Sequence, residues 1–385
     1  MKSKLLGLAL FAPFVLYACS DSKDSANNST GDDDDTSADS GMGGDDSTGD
    51  DDGADGSTSS DSSTLADGAP TGTNPIEGAT VEKIDDGGGF MDGIQWIPTL
   101  NAVTLADFTN GVFSNSGTGT GAPFYAATNP IGVALENSGK VLIAEASPIA
   151  TTPHRILRLT VGADGGSGMT VVTDVGPGGK KYHQPNDIAA RKDGNFYFTD
   201  PNYFNHLPVD GGSEYLAYEG VFRVTAAGVV SLVDSTQLRP NGIALSADGN
   251  TLFVGNDKNV VGMAGVTAGA SSVVKYTVAA DGSINGGTAA AGAKFVDTSA
   301  GVESIATDDN GNVYVAGLNG IEVFSSTGAK WGTITIPAMD GYQTQPTSIG
   351  FGGADRKTLY IGANTSAPAK APKLLKATVK VAGVI

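Results

Sequence analysis

The sequence predicts an all-β protein, a six-bladed β-propeller preceded by a disordered acidic linker. Three observations carry that prediction. A short strand–turn–strand pattern recurs six times. Glycine supplies 55 of 385 residues while aromatics are 7%, a composition that suits turn-dense β structure better than a helical bundle. The acidity is segregated: residues 20–70 hold 15 acids and one Lys, whereas 71–385 carry 27 acids and 20 bases. Neither part offers the basic surface that displaces counterions from phosphate, so nucleic-acid binding is excluded as a main function.

The amino-terminal elements come first. Lys2 and Lys4, the apolar run Leu5 to Tyr17 and the small residue Ala18 read as a secretory signal peptide over 1–18, too short for a stable membrane span. Cys19 is the single cysteine of the chain, which excludes a disulfide framework and a cysteine-rich zinc site. Leu16-Tyr17-Ala18-Cys19 resembles a bacterial lipobox, in which the Cys becomes the lipidated first residue of the mature protein. A lipid-anchored position in the bacterial cell envelope is the expectation, on the outer membrane or facing the periplasm. Residues 19–75 are Asp, Ser, Gly and Thr with almost no apolar side chains, and the runs Asp32–Asp35 and Asp50–Asp52 repel themselves. They lack the spacing and closing Glu of an EF-hand loop, so they read as a solvated tether.

The folded part is assigned to 76–385, and the repeat organises it. The copies are Gly93–Trp96 with Val103–Leu105, Gly132–Leu135 with Val141–Ile143, and Asp187–Ala189 with Phe196–Phe198. Gly242–Leu245 with Thr251–Val254, Ser304–Ala306 with Val313–Val315, and Ser348–Phe351 with Leu359–Ile361 complete the set. Asp193-Gly194, Asp248-Gly249 and Asn310-Gly311 stand where tight hairpin turns are needed. Segments between copies supply two more strands each, as with Phe222–Val224 and Val229–Leu232. Equivalent positions lie 39, 55, 55, 62 and 44 residues apart, close to the period of four-stranded propeller blades. A ring needs closure, and Ala79–Ile84 is expected to pair with Leu374–Val384 in the last blade.

The residue just before each inner strand defines a column: Asp92, Ile131, Asn186, Asn241, Glu303 and Thr347. A propeller brings these to one mouth of its channel. Two carboxylates about 4 Å apart at an effective dielectric near 20 repel by about 4 kcal/mol, and a divalent cation removes that penalty. Asp92, Asn186, Asn241 and Glu303 are therefore the candidate metal ligands. Oxygen donors without Cys or His favour a hard cation, so one divalent ion is expected, Ca²⁺ first, with Zn²⁺ or Mg²⁺ behind it.

Three motifs carry a family resemblance. His183-Gln184-Pro185-Asn186-Asp187, Asn195 to Pro201 and Arg239-Pro240-Asn241-Gly242-Ile243-Ala244-Leu245-Ser246 resemble the senescence marker protein/gluconolactonase (regucalcin-like) family. Phe351 to Tyr360 is similar to its last blade, and the likeness runs from about 88 to 376. It implies a propeller with one divalent metal in the channel, hydrolysing a small-molecule lactone or related ester. Asn241 matches the family's Pro-Asn-Gly ligand. Asp92 stands where the family has Glu, and Glu303 where it has Asp, so the two acids exchange lengths. The resemblance gives Glu303 the role of catalytic base and Asn186 a metal or substrate contact. Gln184 replaces a substrate-binding Arg, Ile131 an Asn, and Glu145-Ala146 a Glu-His pair.

Strand direction places three loops over that mouth: Ala146–His154, Asn202–Glu219 and Asn256–Ser271. The second is rich in rings (Tyr203, Phe204, His206, Tyr215, Tyr218), and Tyr203 is taken as a substrate contact. The third carries Val260, Val261, Met263 and Val266. His183 reads as a surface side chain, with a proton carrier near the channel as the alternative, and Trp96 and Trp331 read as blade packing. No Gly-x-Ser-x-Gly elbow or His-Glu-x-x-His helix is present. A monomer is expected. The alternative is a non-catalytic propeller binding a ligand or protein at the cell surface, which has no need of acids at both Asp92 and Glu303.

Overall fold

The computed structural model describes residues 68–117, 121–147, 153–203, 214–257, 271–299, 301–366 and 371–385. The signal peptide, Cys19 and nearly all of the tether lie outside the described residues. So do Phe204, His206, Val260, Val261, Met263 and Val266 of the two loops.

The described residues form six four-stranded antiparallel sheets. Strand β1 is Val81–Asp85. Blade one is β2 Met91–Ile97, β3 Ala102–Asp107, β4 Gly111–Asn115 and β5 Ala122–Tyr125. Blade two is β6 Pro130–Leu135, β7 Lys140–Glu145, β8 Arg155–Gly162 and β9 Gly165–Thr173. Blade three is β10 Ile188–Ala190, β11 Phe196–Asp200, β12 Gly220–Val224 and β13 Val230–Asp234. Blade four is β14 Pro240–Leu245, β15 Thr251–Asn256, β16 Ser272–Thr277 and β17 Ala293–Asp297. Blade five is β18 Ser304–Thr307, β19 Val313–Gly317, β20 Gly320–Phe324 and β21 Lys330–Ile334. Blade six is β22 Thr344–Gly352, β23 Thr358–Thr365, β24 Pro372–Thr378 and, on its outer edge, β1.

The expected ring closure is present. Val81 pairs with Ala377, Glu82 with Lys376 and Lys83 with Leu375. A strand from the start of the folded part thus finishes the last blade and leaves no gap between first and last sheets.

One turn design joins the inner hairpins. In blades two, three and five the Gly N–H (Gly139, Gly194, Gly311) donates to the carbonyl three residues back. That same residue's N–H donates to the carbonyl just past the Gly. Only the Gly has positive φ, at 78°, 86° and 78°. This is a three-residue loop closing with a left-handed Gly, one residue longer than the two-residue turn expected from Asp-Gly and Asn-Gly. In blade three Asp193 Oδ1 accepts the Asn195 N–H at 3.0 Å, and in blade five Asp308 Oδ1 accepts the Asn312 N–H at 2.9 Å, contacts that hold the wider loop.

The core is distributed between blades. Each of six buried clusters joins two neighbours. Ile97, Ala106 and Phe124 of blade one meet Val133, Ile143 and Leu157 of blade two, and the last cluster brings Tyr360 and Leu374 back to Met91 and Trp96. Trp96 stacks on Tyr360 at 5.6 Å, and Trp331 donates its indole N–H to Asn312 at 2.8 Å. Both tryptophans therefore pack blades. Apolar area removed from water at roughly 25 cal/mol per Å² is the main favourable contribution at each of these seams.

Candidate functional site

The six column positions are joined around the channel by contacts at one level of the ring. A Cβ on Gly93 would stand 2.2 Å from the Ile131 carbonyl oxygen, and one on Gly132 would stand 2.0 Å from that of Asn186. Only Gly fits there, and it lets the first three inner strands close up beside Asp92. The Asn186 N–H donates to the Thr199 carbonyl at 2.8 Å, and the Thr199 hydroxyl donates to the Asn241 carbonyl at 2.8 Å. Asn241 then donates from Nδ2 to Glu303 Oε2 at 3.1 Å. The Ile349 N–H reaches Ser304 Oγ at 3.3 Å, and the Thr347 hydroxyl donates to the Met91 carbonyl at 2.6 Å. Asp92, Asn186, Asn241 and Glu303 thus share one mouth. Ile131 brings only an apolar side chain, and Thr347 spends its hydroxyl on blade one.

Further along the inner strands the channel holds a void of about 110 Å³, lined by Ile94, Asp187, Ile243, Ser304, Ser348 and Ile349 among others.

Burial dominates the electrostatics. It pushes the Asp92 carboxyl well above its usual range, against a hydrogen bond from the Gly93 N–H, and the charges of Glu303 and Asp187 push the same way. Burial, then the neighbouring Asp257, raises the Glu303 carboxyl to about 8, with the Asn241 amide opposing. The partners of Asp92 and Glu303 are thus a backbone N–H and an amide, neither of them a cation. Asp92 and Glu303 are thus partly buried acids that repel one another, with no positive partner among the described residues.

Two further acids were not singled out by sequence reasoning. Asp257 follows β15 and is buried beside Glu303. Asp187 is raised to about 7 by burial; it accepts the Ile188 N–H at 2.9 Å and the Ile243 N–H at 3.2 Å, so it ties blade three to blade four. The signal that finds Asp257 is strand direction. The second strand of every blade returns to the mouth, so the residue after it belongs to the site as much as the residue before the first.

Gln184 is buried, donates its N–H to Asp200 Oδ1 at 2.6 Å, and keeps a buried side-chain oxygen without a hydrogen-bond partner. Tyr203 accepts the second Asn241 amide hydrogen at 3.0 Å. Burial raises its phenol well above the usual value, and Asp257 and Glu303 add to the effect. His183 corrects the surface expectation: it is fully buried and stacks on Tyr215 at 5.8 Å, because the chain returning at 215 covers it. Among the described residues no group of three or more His, Cys, Asp or Glu is arranged to hold a metal. A site here would draw on two acids and two amides.

A propeller with one oxygen-lined mouth is the class these features define. Residues 90–365 match the family described as SMP-30/Gluconolactonase/LRE-like region, and the chain belongs to that family. It is 29% identical over 190 residues to a gluconolactonase of Zymomonas mobilis subsp. mobilis, a match covering 48% of this chain and 49% of that one. The chain thus spans about half the length of the relative it matches. A gluconolactonase structure from Xanthomonas campestris superposes with a TM-score of 0.61 at 21% identity, over 80% of this chain and 92% of that one. A calcium-binding regucalcin from Agrobacterium tumefaciens does so at 0.57 and 14%, over 79% and 95%. At these identities the solved structures speak for the fold.

Proposed function

We propose that the protein is a divalent-metal-dependent hydrolase that opens a sugar lactone or a related ester. The observation that carries this reading is the pair of partly buried acids, Asp92 and Glu303, at one mouth with two amides and, among the described residues, no cationic partner. Membership of the gluconolactonase family supports it.

Asp92, Asn186, Asn241 and Glu303 would hold the ion, and their all-oxygen set suits Ca²⁺ before Zn²⁺ or Mg²⁺. When bound, such a cation supplies Lewis-acid polarisation of the substrate carbonyl and offsets the negative charges of the two acids. Glu303 accepts the proton of the attacking water, its Oε2 steadied by Asn241. That proton is then available to the ring oxygen as the C–O bond opens, leaving a hydroxy acid. Asn241 has both amide hydrogens committed, to Tyr203 and Glu303, so its oxygen is the atom left for a ligand. The Tyr203 phenol stays protonated and donates to substrate oxygen. Gln184, where the family has an Arg, would offer a substrate hydroxyl a neutral contact.

The lipobox-like Leu16 to Cys19 and the acidic stretch after it support a lipid-anchored protein of the bacterial cell envelope, its propeller held off the membrane as a monomer. The site reading is tested by Asn241→Ala and Glu303→Gln. Each should lower kcat by two or more orders of magnitude while the propeller still unfolds cooperatively. Full activity in either variant would refute the assignment.

A further inference from the structure

A second set of buried polar groups stands behind the site. Glu219, just before β12, and Arg239, just before β14, form an ion pair, exposed by only 6% and 4%. Glu219 is heavily used: its Oε1 accepts the Asn202 N–H at 2.7 Å and the Arg239 guanidinium, and its Oε2 accepts the Arg239 N–H at 2.8 Å. Arg239 has φ 51°, a left-handed conformation rare for a residue with a Cβ and held only where surroundings impose it. Its guanidinium lies over the Tyr203 ring, 5.7 Å from the centroid, and its carbonyl accepts the Asp257 N–H at 3.0 Å. Tyr203 in turn meets Asn241.

We propose that the Glu219–Arg239 pair is a positioning unit for the metal site, acting through Tyr203 on the orientation of the Asn241 amide. The inference rests on the hydrolase reading above. Glu219 fixes the backbone on both sides, Asn202 of blade three and Arg239 of blade four. Arg239 then sets its guanidinium over the Tyr203 ring, an attraction that strengthens where water is excluded. The ring so placed puts its hydroxyl oxygen opposite one Asn241 hydrogen, while Glu303 takes the other. With both hydrogens directed, Asn241 is held against flipping, and its oxygen is the atom that would meet the ion. Groups that orient a ligand in this way typically set tenfold to hundredfold in metal affinity or activity.

Calorimetry of Ca²⁺ binding to the full chain, with kcat and KM on one lactone and melting in chelator, tests the chain of contacts. Tyr203→Phe keeps the ring and removes only the hydroxyl; it should weaken Ca²⁺ about tenfold or more and leave melting in chelator unchanged. Arg239→Lys keeps the charge but cannot pair with Glu219 and lie flat on Tyr203 together, so it should weaken Ca²⁺ similarly. The double variant should lose no more than the worse single, because both act along one line. Additive losses, or Tyr203→Phe binding Ca²⁺ like the parent, would overturn the proposal. A parent protein that binds none of Ca²⁺, Zn²⁺ and Mg²⁺ overturns the hydrolase reading itself, and the inference falls with it.

Discussion

Gly132→Ala adds one methyl group outside the donor set and tests whether backbone closure between blades two and three sets the site. The new Cβ would stand 2.0 Å from the Asn186 carbonyl oxygen, 3.1 Å from its carbonyl carbon and 3.2 Å from Asp187 Cα. Ordinary contact begins near 3.4 Å, so the strand carrying Asn186 has to retreat by roughly 1.4 Å. Overpacking of this kind costs about 1–3 kcal/mol of stability. The larger effect falls on the site, where a displacement of about 1 Å commonly costs a hundredfold in rate, or about 2.7 kcal/mol of transition-state stabilisation. Lactone hydrolysis and calorimetric Ca²⁺ affinity measure it, with Gly139→Ala as control. Gly139 sits at a turn tip with nothing within 4 Å of its added Cβ, so its φ of 78° costs stability without moving the mouth. The reasoning fails if Gly132→Ala keeps the parent's rate and affinity, or if Gly139→Ala loses as much.

Three other outcomes are expected. Glu303→Gln should raise the melting temperature in chelator by removing a desolvated carboxyl, yet forfeit the gain from Ca²⁺, which for the parent at 100 times Kd is about 2.7 kcal/mol; scanning calorimetry with and without Ca²⁺ reads both. Asp200 is raised by burial to about 8 from 3.8, so its contribution to stability is full below pH 3.8 and lost as pH rises towards 8. Urea midpoints should accordingly show Asp200→Asn gaining on the parent between pH 4 and 8, and a constant difference would refute that ionisation. Cys19→Ala should move the protein from the membrane to the soluble fraction on cell fractionation.

Much of the fold was legible because each blade repeats a local rule. Asp193-Gly194 and Asn310-Gly311 mark their hairpins within a few residues, and Phe196–Phe198 or Val313–Val315 announce buried second strands on their own. Outer strands were harder. β9 carries four exposed residues in a row before Val171, and glycine at 165, 166 and 168, so no alternating pattern betrays it. The ring closure was readable from the leftover strand at 79–84, since a ring has one unpaired end. The column from Asp92 to Glu303 was readable because it has fixed spacing from the repeat. Asp257, Asp187 and Arg239 were not, because their place in the site comes from neighbouring blades meeting around the axis. The burial of His183 follows from Tyr215, 32 positions further on, which no local pattern foretells.

The most direct test is hydrolysis of a panel of sugar and aliphatic lactones by the full chain, with Ca²⁺ and then with excess chelator. The account predicts turnover on at least one lactone, abolished by chelation and restored when Ca²⁺ is returned. Turnover that survives chelation, or no turnover across the panel with Ca²⁺ bound, would contradict it.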